Sequence, residues 1–100
     1  MKEQTMIYCV MFEDAAGKED LRQQHMAAHL EFLGACGLQV LGAGPLLETG
    51  TGSGGMWMVE AESQEEVQEM VQEDPFWPTG LRKSVPILEW RQVFREGARV

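Results

Sequence analysis

The sequence predicts an α+β sandwich: an antiparallel sheet with two helices on one face, in the order β-α-β-β-α-β. Three observations carry this. A continuous apolar run over 6–12, MIYCVMF, is rich in the branched and aromatic side chains that favour a strand. One long segment, 20–37, has a helical period. A second, shorter helix announces its start with Ser63-Gln64-Glu65-Glu66, in which the serine hydroxyl can accept from the Glu66 amide while Glu66 reaches back. Two right-handed crossovers then place both helices on the same side of the sheet. That arrangement is a ferredoxin-like sandwich, and the 100 residues make one domain over 1–100.

The elements follow in order. After the first strand, Glu13 to Gly17 turns the chain, with Asp14 and Asp20 both credible N-caps for the long helix. Projected at about 100° per residue, Leu21, His25, Ala28, His29, Phe32, Leu33 and Cys36 gather on one face of that helix. Its inner stripe thus carries two imidazoles, with Phe32 and Leu33 placed to cover part of the His29 ring. Gly37 is the expected stop. A second strand over 38–43 ends at Gly44-Pro45, a glycine-rich loop covers 46–54, and a third strand occupies 56–61. Val67, Met70 and Val71 form the inner stripe of the second helix, which Asp74-Pro75 ends because a residue before proline resists helical geometry. An aromatic loop over 76–80 leads to a last strand over 85–94 and a charged tail.

A sheet covered on one face only should alternate apolar and polar residues. This one does not. Tyr8, Val10 and Phe12 oppose Ile7, Cys9 and Met11, and Trp57 and Val59 oppose Met56 and Met58. The helix-free face is therefore apolar, and a patch of that size marks an interface. A homodimer joined sheet to sheet is expected.

Composition narrows the partners. The apolar fraction is 44%, ordinary for a globular protein, and 16 acidic residues against 8 basic ones give a net charge of −8. Nucleic-acid phosphates and anionic membranes are disfavoured. Neither a signal-peptide core nor an apolar run of about 20 residues is evident, so the expected location is cytoplasmic. Cys9 and Cys36 lack metal-type spacing and read as apolar thiols in a reducing compartment.

A histidine in an apolar stripe must be hydrogen-bonded, and Asp74 is the candidate partner. With the two helices taken as parallel, Asp74 at the end of the second lies towards the C-terminal half of the first. A carboxylate in reach of His29 would fix its tautomer and make it a general acid or base. The same contact could equally lock two helices together with no chemistry at all. His25 and His29, one turn apart, lack a third metal ligand, so no metal or other cofactor is expected. Ser53 sits in TGSGG, which is neither a nucleophile elbow nor a phosphate loop, and reads as a turn residue that could also bond a ligand. Trp57 and Trp77 could line an apolar pocket or serve as core.

Several short motifs in order, HLEFL at 29–33, AGP at 43–45, GS at 52–53, DPF at 74–76 and WRQVF at 90–94, resemble the YCII-related family. The resemblance implies a dimeric α+β barrel built from ferredoxin-like protomers, with a His-Asp active-site dyad falling on His29 and Asp74. Gly44, Pro45 and Ser53 would then face a small-molecule ligand. The activity implied is proton transfer or elimination on a small cyclic or aromatic compound, as in a dehydrochlorinase or an isomerase. A non-catalytic dimeric module that binds a small ligand or a partner protein is the alternative.

Overall fold

A computed structural model describes residues 5–47 and 54–100. Its first strand, β1 (Met6–Asp14), sits in the middle of the sheet. Helix α1 (Glu19–Ala35) follows, then β2 (Gln39–Pro45), β3 (Gly54–Ala61) and helix α2 (Gln64–Glu73). A short 3-10 turn, Trp77–Thr79, leads into β4 (Arg82–Ser84) and β5 (Ile87–Trp90). The sheet order is β2-β3-β1-β4, with β5 also paired to β1, and every pairing is antiparallel. This is the ferredoxin-like α+β arrangement predicted from the element order.

The last strand of the sheet is not continuous over 85–94. Pro86 has no N–H to give the ladder, so the edge splits into β4 and β5, and the Pro86 carbonyl still accepts from the Met11 amide at 3.0 Å. The charged tail is itself structured: β6 (Phe94–Arg95) pairs with β7 (Ala98–Arg99). Glu96 and Gly97 between them both have positive φ, the signature of a primed hairpin turn.

Each helix begins and ends for a local reason. Ser63 caps α2, accepting from the Glu66 amide at 3.3 Å, while the Glu66 carboxylate reaches one residue further back than expected, to the Glu62 amide at 2.8 Å. Neither Asp14 nor Asp20 caps α1. The N-cap is Lys18, without a side-chain hydrogen bond, and Asp14 is engaged elsewhere. Gly37, at φ 88°, takes the left-handed position that ends α1. Since each helix runs back along the strand it follows, and β1 and β3 are antiparallel, the helices are antiparallel rather than parallel.

The core lies between the helices and the inner face of the sheet. Tyr8, Val10 and Phe12 of β1, Trp57, Val59 and Ala61 of β3, and Val67, Met70 and Val71 of α2 are buried together. Each of the larger side chains contributes roughly 1.5–3 kcal/mol by leaving water. From α1, Phe32, Leu33 and Cys36 pack against this cluster only half-buried, and Ala28, expected on the inner stripe, is exposed. On the opposite face Ile7, Cys9, Met56 and Met58 line a concavity of about 580 Å³, closed at its edges by the exposed Leu41 and Trp90.

Candidate active site

His29 is the one buried residue of α1 among those described, and Asp74 is buried with it. The backbone of Asp74 is extended (φ −64°, ψ 135°), as Pro75 demands, so its side chain turns back under the end of α2. There the carboxylate receives three donors. His29 Nδ1 lies 3.1 Å from Oδ1 and 3.0 Å from Oδ2, the Phe76 amide donates to Oδ1 at 3.0 Å, and Arg82 Nη1 donates to Oδ2 at 2.8 Å. Burial pushes the Asp74 carboxyl up. The His29 hydrogen bond, the Phe76 amide, and the charges of Arg82 and His29 together outweigh it and hold the group below its ordinary value.

An ionised carboxylate only accepts, so His29 Nδ1 carries the proton and, in the neutral ring, Nε2 presents a lone pair. No hydrogen bond is made by Nε2 among the described residues. The ring lies between two aromatic groups: Trp57 stacks on it at 5.9 Å between centroids and 24°, and Phe76 lies 4.7 Å away. These rings hold the imidazole in place. Phe12 meets Trp57 edge-on at 4.6 Å. The Arg82 guanidinium rests over the Phe12 ring at 3.9 Å.

His29, Arg82, Phe12 and Trp57 form part of the wall of a cavity of about 160 Å³ between α1 and the sheet. Gly44 and Pro45 at the end of β2 line it too, as do Arg22, Met26 and Leu30 of α1. Asp74 stands behind His29, its side chain without exposure to solvent. Two glycines permit the close strand packing at this end of the sheet. A Cβ on Gly54 would fall 2.1 Å from the Phe12 carbonyl oxygen, and one on Gly55 2.8 Å from that of Gly44. The cavity matches the size of about 150 Å³ that admits benzene in a protein interior, so it suits a single ring.

The structure thus brings four of the five residues anticipated from the sequence, His29, Asp74, Gly44 and Pro45, to one place. Ser53, with most of the glycine-rich loop, lies outside the described residues. His25 does not share the buried site; it is half-buried, edge-on to Phe76 at 6.4 Å between centroids. Trp77 is exposed at 45% and lines nothing here. Among the described residues no three His, Cys, Asp or Glu come together as a metal site.

Two arginines escaped the sequence reading. Arg22 is bound by Asp14, with Nε donating to Oδ2 at 3.0 Å. Arg22 precedes His29 by seven residues and Met26 by four, a helical spacing that a stripe drawn through Leu21 and His25 passes over. Arg82 carries no local signal: it is placed by Gly80, at φ 77°, and by the Thr79 hydroxyl, which accepts from the Leu81 amide at 3.1 Å. Asp14 and Arg82 are cross-strand partners, yet Asp14 Oδ1 and Arg82 Nε are both buried without a hydrogen bond among the described residues. Burial pulls the Arg82 guanidinium below its ordinary value, against the neighbouring Asp74.

A carboxylate-held histidine thus lies on the wall of a ring-sized cavity in a ferredoxin-like fold. The chain belongs to the YCII-related domain family, whose profile matches residues 6–91. It is similar in structure to 5-chloro-2-hydroxyhydroquinone dehydrochlorinase (TftG) from Burkholderia phenoliruptrix AC1100, solved in complex with 2,5-dihydroxybenzoquinone. The two share 32% identity over 86% of this chain and 94% of that one, with a TM-score of 0.75. No curated protein matches the sequence. No helix among the described residues is long and apolar enough to cross a membrane.

Proposed function

We propose that this chain is an enzyme of proton transfer or elimination on a small cyclic or aromatic compound, with His29 as general base and Asp74 as its orienter. The observation that carries the reading is the hydrogen bond from His29 Nδ1, shared between the two Asp74 oxygens, which leaves Nε2 as the basic nitrogen of a ring that lines a ring-sized cavity. Deprotonation of the ring compound by Nε2 releases an electron pair that forms the new π bond. In an elimination the leaving group departs with its own bonding pair, and the proton remains on His29 until solvent takes it. Asp74, already negative and buried, steadies the imidazolium formed in that step. Gly44 and Pro45, which line the same cavity, supply backbone contacts to the ligand.

The similarity to a dehydrochlorinase supports the elimination branch and names the compound to try first. Chloride release from 5-chloro-2-hydroxyhydroquinone by the wild type should fall by ~10²–10⁴-fold in His29→Asn, the usual contribution of a general base. Undiminished release in that variant would end the proposal. Ligand binding without turnover in the wild type would instead select the non-catalytic module.

The protomer works as a homodimer joined through its helix-free face. The support is the apolar concavity lined by Ile7, Cys9, Met56 and Met58, whose covering by a second copy would remove a large apolar surface from water. Light scattering at micromolar concentration should return twice the mass of the 11.2 kDa chain, and a monomer there would remove the inference.

A further inference from the structure

We propose that the cavity receives its ring substrate as an anion, with an ionised ring oxygen paired to Arg82 and Arg22. The inference rests on the preceding reading of the site and extends it to the charge of the substrate. It starts from an imbalance. The chain has twice as many acidic residues as basic ones, yet two of its eight basic residues line this one cavity and no described carboxylate does.

The carboxylates that compensate them stand behind the wall. Asp74 holds Arg82 at 2.8 Å, and Asp14 holds Arg22 through Oδ2. Each arginine is thereby positioned by an anion that does not itself line the cavity, and has N–H groups to spare. Arg82 is the more constrained of the two. Its side chain is 5% exposed, its plane is set by the Phe12 ring at 3.9 Å, and its buried Nε has no acceptor among the described residues. A guanidinium held in this way is a rigid fork of donors, matched to oxygens of a planar anion.

A neutral ring oxygen can accept from these donors but carries no charge to set against theirs, so it is held more weakly than an anion. A phenolate or enolate oxygen satisfies them. It also sets the division of labour: the arginines hold an oxygen that has already lost its proton, and His29 Nε2 acts at a second position of the ring. The fit is to hydroxylated quinones and polyhydroxybenzenes that ionise near neutrality, in preference to uncharged rings of the same size.

The test compares two probes of similar size at pH 7. Ionised 2,5-dihydroxybenzoquinone and uncharged hydroquinone are titrated calorimetrically against wild type, Arg22→Gln, Arg82→Lys and His29→Asn. The wild type should favour the anion at least about tenfold, the scale of one hydrogen bond to a charged group. Arg22→Gln should reduce that ratio about tenfold, through weaker binding of the anion. Arg82→Lys, which keeps the charge opposite Asp74 but loses the fork, should reduce it in the same direction. His29→Asn should keep the preference. Equal affinity for the two probes, no binding of either, or an unchanged ratio in Arg22→Gln would overturn the proposal. Normal chloride release by His29→Asn would overturn the general-base reading instead, and leaves the charge preference to be judged by the titration.

Discussion

Helices α1 and α2 lie on the same face of one sheet and are held there by different interactions. The ten residues of α2 bury Val67, Met70 and Val71 against β1 and β3, an apolar stripe at ordinary helical spacing. The seventeen residues of α1 bury one side chain among those described, and it is His29. Leu30, beside it, is 58% exposed at the cavity rim. One helix supplies core and the other lines the cavity. A face that borders a cavity cannot also be close-packed, so α1 depends on the polar tie to Asp74 and on half-buried neighbours such as Phe32 and Leu33.

Asp74→Asn cuts the tie between the helices and is expected to be the most damaging change. It removes the counter-charge of a buried guanidinium, a loss of about 3–5 kcal/mol for such a pair at neutral pH. The pH dependence has a definite sign. The folded Asp74 lies below its ordinary value of 3.8, so its contribution is complete above that pH and disappears as pH falls through the lower folded value. Thermal melts of wild type and Asp74→Asn should therefore differ most near pH 7 and converge under acid conditions. A gap that widens on acidification would show that Asp74 is not stabilised as an anion.

The second contrast sets the helices against each other directly. Met70→Ala in α2, 3% exposed, should cost about 2–5 kcal/mol. Leu30→Ala in α1 should cost less than about 0.5 kcal/mol. At roughly 4–8 °C per kcal/mol for a domain of this size, calorimetry separates the two plainly. Similar losses at both positions would mean that α1 is packed as tightly as α2.

Much of this was legible in the residues. The strand over 6–12, the capping serine at 63, the stop at Gly37 and the Asp74-Pro75 ending are local signals, and each element falls within a few residues of its expected place. The pairing of His29 with Asp74 was also anticipated, although the helices prove antiparallel and Asp74 meets α1 near its middle. Pro86 marks a break in the last strand that the apolar run over 85–94 does not reveal. The hairpin at Glu96-Gly97 reads in sequence as a charged tail because neither strand has the alternation that would mark it.

Residues alone suffice for the element order, the start of α2, the stops of both helices, the apolar character of both sheet faces and the motifs of the YCII-related family. Those properties depend on residues a few positions apart, where backbone preference and side-chain period act directly. The packed chain adds what no short stretch contains: Arg22 and Arg82 share a cavity with His29, Asp14 and Asp74 bind the two arginines, and Trp57 and Phe76 flank the imidazole. These groups come from both helices, three strands and the aromatic turn. Their meeting is set by strand register and helix docking, which no local pattern encodes.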